Sequence, residues 1–477
     1  MVHRRSFLKQ AGLGSLGIAG AASWMKEKKN IPSAVVKTSS LQKKINIVYI
    51  NSHDTGRYIQ PFGHALPTPN LQKLAEEGVL FRQFYTTNPT SSASRASLLT
   101  GMYPHCNGMI GLAHRGFSLN NYGQTLIPFL RRHGYVTALA GVQHIASHHE
   151  GDPSKRIGFD QYISSTHSMD DMKKIVDWIE NAPQQPFYLE VGFVETHRPF
   201  PPANWKEKER YLLPPAPIPD TPATRADMAQ FKESLRRLDE KMGMVFDALA
   251  RKGLMNNTLI ICTTDHGIAF PRMKCNLTDG GTGIFLIMHG PGEFSGGKVI
   301  DSLLSNVDIF PTLCDYLQLP APEWIQGKSF LPILGDETQE INEEIFGEVN
   351  YHAAYQPMRS VRTKRYKYIK RFGDRTTPVL CNIDDSPSKD EWLKAGYGNI
   401  VLPREELYDL ILDPNEMNNL IDNPQYLSVA EEMRIRLKKY MERTNDPLQK
   451  GFIEAPKGAI LNKPDAVSPN EPTETVK

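Results

Sequence analysis

The segment Thr90-Ser91-Ser92-Ala93-Ser94-Arg95-Ala96-Ser97-Leu98-Leu99-Thr100-Gly101 puts hydroxyl side chains at the entry to a short helix, with a guanidinium one turn in. Free N–H groups and the macrodipole at a helix N-terminus favour anions. A hydroxyl nucleophile beside Arg95 at such a place suits attack on a sulfate or phosphate ester. On its own a Ser-rich helix start is usually just a cap. The reading therefore depends on what other polar groups the chain brings to the same place.

Those groups follow apolar runs. His53-Asp54 comes after Ile45-Asn46-Ile47-Val48-Tyr49-Ile50, Asp265-His266 after Thr258–Thr264, and His197 after 187–193. Each run is apolar enough to be a parallel strand buried on both faces. Further strands are predicted over 79–85, 285–288 and 344–349. A helix starts at Thr68-Pro69-Asn70, with Pro in the first turn, and stops at Gly78; another covers about 224–252. Strands alternating with helices predict an α/β fold, a large, mostly parallel sheet with helices on both faces, and such sheets bind ligands at the carboxyl ends of their strands. Beyond about 350 the character changes. Met358 to Tyr368 reads as a hairpin around a Lys-Arg turn, Glu406–Leu410 as a strand, and 428–443 as a helix, which predicts a smaller antiparallel sheet plus helix over 351–450 after a catalytic domain over 43–350. The Pro-, Asn- and Thr-rich tail, 456–477, is expected to be extended.

Ser91-x-Ala93-Ser94-Arg95-x-Ser97-Leu98-Leu99-Thr100-Gly101 closely resembles the signature of the formylglycine-dependent (type I) sulfatases of the alkaline phosphatase superfamily. Other segments resemble that family in the same order. Ala140-Gly141-Val142-Gln143-His144 is similar to its Gly-Lys-Trp-His element, Glu195-Thr196-His197-Arg198-Pro199 to its His-x-Pro element, and Thr264-Asp265-His266-Gly267 to its metal-binding Asp-(Asn/His)-Gly. Lys274 to Gly281 parallels its Lys-x-x-x-x-Glu-Gly-Gly segment. The neighbourhood Ser52-His53-Asp54-Thr55-Gly56-Arg57 resembles bacterial proteins similar to N-sulfoglucosamine sulfohydrolases.

The resemblance implies a sulfatase acting on sulfate esters or N-sulfate groups of a glycosaminoglycan or another sulfated saccharide. Its nucleophile would be a formylglycine hydrate made from Ser91 by a radical-type serine maturase. It also implies one divalent cation, Ca2+ first and Mn2+ or Mg2+ after it, on Asp54, Asp265 and His266. Arg95 would hold the hydrate, Lys274 the sulfate, His197 would protonate the leaving group, and His144 would assist the hydrate. The chain departs from the pattern twice. His53 stands where the family usually has a second Asp, and is either a fourth ligand or a neutral hydrogen-bond donor. Val142 stands where the family has Lys, so a substrate-binding cation must enter from elsewhere, with Arg198 or His352 as candidates. Two alternatives stay open: a phosphodiesterase or phosphonate monoester hydrolase of the same superfamily, and a catalytically inactive protein that binds sulfated glycans.

Composition agrees with a globular enzyme. The chain has 477 residues, 40% hydrophobic and 23% charged, with a net charge of +2 that gives no basic field for nucleic acid. Five cysteines form no CxxC pair; a disulfide remains open, and the odd count leaves at least one Cys without an intramolecular partner. Arg4-Arg5-Ser6-Phe7-Leu8-Lys9 and the weakly apolar run after it resemble a twin-arginine export signal over 1–30, which predicts a periplasmic or otherwise exported protein. That run is too short for a membrane span.

Overall fold

A computed structural model describes residues 45–203 and 210–477; the export-signal reading of 1–30 lies outside them. The strands are β1 (Asn46–Ser52), β2 (Val79–Phe81), β3 (Phe84–Tyr85), β4 (Val136–Gly141), β5 (Gln161–Tyr162), β6 (Phe187–Gly192), β7 (Thr258–Thr264), β8 (Leu286–His289), β9 (Lys298–Ile300) and β10 (Leu304–Ser305). They are followed by β11 (Ile345–Tyr351), β12 (Tyr355–Arg362), β13 (Tyr366–Arg371), β14 (Glu405–Asp409), β15 (Ile460–Asn462) and β16 (Thr473–Thr475).

The main sheet has eight strands in the order β5-β4-β6-β1-β7-β8-β2-β9. Its pairings are parallel except those of β8 with β7 and β2. Central β1 is buried at every position. Its alternating side chains feed two separate cores. Ile47 and Tyr49 pack with the helix Ser91–Thr100, and Val48 and Ile50 with the helices Met169–Glu180 and Pro222–Arg251. The long helix begins with Pro222 behind a Thr221 capping box and lays Met228, Phe231, Leu235, Leu238, Met242 and Val245 on the sheet at helical spacing.

β11, β12, β13 and β14 form a second, antiparallel sheet. The helix Leu427–Arg443 covers it, packing Met433, Leu437 and Tyr440 near Val361, Tyr368 and Leu407. Buried ion pairs join it to residues of the first part: Arg362 reaches Asp279 at 3.0 Å, and His105 pairs with Glu348.

Three expectations change. Residues 79–85 are not one strand: the chain switches at Arg82-Gln83, so that β2 pairs with β8 and β9 while β3 pairs with β10. The strand expected at 344–349 is β11 of the second sheet, because its register is taken up by β12. The tail is a hairpin, β15 with β16, pinned by Arg115 Nη1 donating to Asn462 Oδ1 at 2.9 Å. All five cysteines are free. Among the described residues no helix is long and apolar enough to cross a membrane.

Candidate active site

Four neighbouring strands of the main sheet, β4, β6, β1 and β7, deliver their following loops to one place. His144 comes after β4, His197 after β6, His53-Asp54 after β1 and Asp265-His266 after β7. Ser91 is the first residue of its helix and is 3% exposed. Its neighbours are committed to scaffolding. Ser92 Oγ accepts the Ala113 N–H at 3.0 Å, and Ser94 Oγ donates to the Asp265 carbonyl at 2.5 Å. Ser91 Oγ instead stands 3.1 Å from His266 Nε2. Of the hydroxyls in the segment, this one faces the reactive groups.

Asp54, Asp265, His53 and His266 bring one ligand atom each within 4.8 Å of one another, all in buried side chains. His53 Nδ1 lies 2.6 Å from Asp54 Oδ1 and 3.3 Å from Asp265 Oδ2. His266 Nδ1 lies 2.9 Å from the Gly267 carbonyl, a bond that puts the proton on Nδ1 and leaves the Nε2 lone pair 3.2 Å from Asp54 Oδ1. A lone pair facing a carboxylate in a dry site calls for a cation between them, so the donor set fits a divalent ion. Two oxygens and two nitrogens make it softer than an all-oxygen calcium cage.

The charges support that arrangement. Burial would raise the Asp54 carboxyl, but Lys274 and then His266 outweigh it and hold it well below the usual carboxylate range. Burial likewise opposes ionisation of Asp265, yet His266, His53 and Arg95 keep it low. Burial pushes the His53 imidazole down to about 4, so it is neutral and able to ligate. Arg95 donates from Nε at 3.3 Å and Nη2 at 3.1 Å to Asp265 Oδ2, while its buried Nη1 has no protein partner. Asp54 and His144 both have positive φ, at 54° and 58°. Left-handed backbone at non-glycine residues is uncommon, and here it falls on two residues aimed into the site.

Lys274 Nζ sits 2.8 Å from Asp54 Oδ2 and 3.3 Å from His197 Nε2. His197 Nδ1 lies 2.5 Å from the Arg198 carbonyl, which orients the ring with Nε2 toward Lys274. His144 packs edge-on against His53 with ring centroids 4.9 Å apart, and its buried Nδ1 has no partner. Burial, reinforced by His53 and Arg95, keeps it neutral. These groups border a cleft of about 880 Å³, within the range of small-molecule sites.

Both candidates for the missing Lys border the cleft. Arg198 is already engaged. Its Nη1 and Nη2 reach Asp227 at 2.7 and 2.8 Å, and its Nε donates to the Ala269 carbonyl. It fastens the His197 loop to the long helix. His352 is 8% exposed, and its buried Nδ1 has no partner. Burial, then Lys274, keeps it neutral, so it can serve as a hydrogen-bonding group but adds no charge. Sequence reasoning missed His114, Arg115, Asp384 and Asn470, which also line the cleft. Arg115 adds a guanidinium to the cleft, with its Nη1 engaged by Asn462 Oδ1 at 2.9 Å. None of the four sits in a recognisable motif, and the last two come from the C-terminal part and the tail hairpin.

A family model described as Sulfatase matches residues 45–319, and one described as N-sulphoglucosamine sulphohydrolase, C-terminal, matches residues 274–399. The chain is 28% identical over 459 residues to an N-sulphoglucosamine sulphohydrolase from Homo sapiens, covering 84% of this chain and 89% of the relative. It is 27% identical to an ulvan-active sulfatase of Formosa agariphila, covering 89% and 78%. A solved structure of a protein in complex with its substrate, D-glucosamine-2-N,6-O-disulfate, superposes with a TM-score of 0.64 at 19% identity, covering 85% of this chain and 99% of that one.

Proposed function

Since this chain belongs to the sulfatase family and is a sulfuric ester hydrolase, we propose that it removes sulfate from a glycosaminoglycan or another sulfated saccharide. In this reading Ser91 is matured to formylglycine by a radical-type serine maturase, and the protein is exported through the twin-arginine-type signal. One divalent cation, Ca2+ first, is held by Asp54, Asp265, His266 and His53. When bound, that ion clamps sulfate oxygens and lowers the pKa of the nucleophile. The observation that carries the reading is Ser91 Oγ at 3.1 Å from His266 Nε2, at the edge of the four-residue donor set.

The residues of the chain divide the remaining work. The Ser91 helix directs its free N–H groups at the anion, and Arg95 balances Asp265 while offering Nη1 to the matured side chain. Lys274 swings from Asp54 to a sulfate oxygen as a compact point charge. Once Lys274 leaves Nε2 for the sulfate, His197 is placed to pass a proton from that atom to the departing oxygen or nitrogen, and neutral His144 accepts one from the nucleophile. Arg115 and His352, which border the cleft, meet the saccharide.

The test is kcat/KM over a panel of defined N- and O-sulfated saccharides, with phosphodiester and phosphonate esters for contrast. Sulfated saccharides should be preferred by at least a hundredfold, about 2.7 kcal/mol of transition-state binding. Faster turnover of the phosphorus esters would replace this reading with the phosphodiesterase one.

A further inference from the structure

Lys274 has a second carboxylate on it. Asp384 Oδ2 lies 2.9 Å from Lys274 Nζ, on a side chain 16% exposed that borders the cleft. The same Nζ contacts His197 Nε2 at 3.3 Å. The sulfate-binding ammonium, the proton donor to the leaving group and this carboxylate therefore converge on one point.

The segment carrying the carboxylate is anchored on both sides. Asn382 Oδ1 accepts the N–H groups of Ala353 and Ala354 at 2.9 Å each, and Asp385 bonds Lys389 Nζ at 2.8 Å and Asn470 Nδ2 at 3.3 Å. Ser388 Oγ donates to Asp227 at 2.6 Å, the same Asp that holds Arg198 beside His197. A negative charge fixed beside the sulfate-binding lysine opposes the burial that would strip its proton, but it also opposes an anionic substrate, a cost that asks for a further return. The return lies on the leaving group.

Cleavage of an N-sulfate breaks the S–N bond, and R–NH–SO3⁻ with water yields R–NH3⁺ and SO4²⁻. Nitrogen keeps its pair from the broken bond and takes one proton from His197 and a second from the hydrate hydroxyl whose oxygen attacks sulfur; elimination of sulfate then releases the proton that restores His197, and the water regenerates the hydrate. An O-sulfate instead yields a neutral alcohol, sulfate and a proton left over. Only the first reaction creates a cation beside His197. Resting on the sulfated-saccharide reading above, we propose that Asp384 determines specificity for N-sulfated over O-sulfated saccharides by receiving the ammonium group that N-sulfate cleavage releases. Charge complementary to one leaving group and wasted on the other is how a site separates substrates of the same size.

The experiment compares kcat/KM for glucosamine N-sulfate and N-acetylglucosamine 6-O-sulfate in the matured, metal-loaded parent and in Asp384→Asn, which keeps shape and removes charge. The N-to-O ratio should fall by about tenfold or more, as expected for a lost hydrogen bond to a charged group. A ratio unchanged within twofold, with both rates falling together, would overturn the proposal, since the carboxylate would then act only through Lys274. A second measurement needs no variant. Below neutral pH, where its amine is protonated, glucosamine should inhibit the parent at a concentration at least fivefold lower than N-acetylglucosamine does; equal inhibition would count against the ammonium site. A parent that cleaves O-sulfates but no N-sulfate sinks this inference alone. One inactive on the whole sulfated panel sinks the reading beneath it.

Discussion

Asp227 grips Arg198 through both guanidinium nitrogens, at 2.7 and 2.8 Å. That fork, and not a substrate anion, is what Arg198 holds, and it ties the loop carrying His197 to the helix Pro222–Arg251. Arg198→Ala should cost on the order of 3 kcal/mol of stability, the penalty for leaving a buried carboxylate unpaired. It should shift the thermal midpoint more than it shifts KM for a sulfated saccharide. A KM increase above tenfold with an unchanged midpoint would return Arg198 to the substrate.

Cation binding makes the next prediction. Chelation should abolish turnover and lower the melting temperature, because an ion that binds only the folded chain stabilises it by mass action. His53→Ala should weaken cation affinity by tenfold or more, with turnover restored by added cation. A rate loss that no amount of cation restores would make His53 a hydrogen-bond donor behind the ligands.

The buried His105–Glu348 pair predicts a pH dependence of stability away from the cleft. Burial opposes protonation of His105, but Glu348 raises it to about 10. A folded-state pKa above the unfolded value, about 6.5, gives stability that is complete below pH 6.5 and is lost as pH rises toward 10. Melting temperature should thus decline between pH 7 and 10, and His105→Gln should be less stable at pH 7 but decline less steeply. Parallel curves for the two proteins would contradict the pairing.

Maturation gives a mass signature. Converting the Ser91 hydroxymethyl to an aldehyde removes two hydrogens, so the peptide holding Ser91 should be about 2 Da lighter when a serine-type maturase is co-expressed. Fully active enzyme with an unmodified peptide would end the formylglycine account.

The centre of the site was readable because its chemistry sits in local strings. Ser91 to Gly101, His53-Asp54 and Asp265-His266 each end or follow an element whose apolar pattern is strong. Strand ends then bring them together, as a parallel sheet requires. The rim was not readable. Asp384 and Arg115 have no flanking pattern, and it takes the second sheet to set Asp384 beside Lys274 and the tail hairpin to pin Arg115. The strand at 345–351 was recognisable as a strand, but not its sheet, since partner choice lies in the β12 register and not in its own residues. Arg198 read as a free cation for the same reason: nothing near it in sequence announces Asp227.

The central claim is that turnover runs through Ser91, and kcat of Ser91→Ala on a sulfated saccharide tests it most directly. Among the described residues the Ser91 side chain has one hydrogen-bond partner, His266, and Thr90 rather than Ser91 is the helix N-cap, so the variant should fold and melt within a few degrees of the parent. Its kcat should fall by roughly 10³-fold or more, as when a covalent nucleophile is deleted and only binding and electrostatics remain. A folded, metal-loaded Ser91→Ala protein keeping a tenth of the parent rate would mean that another residue carries the chemistry.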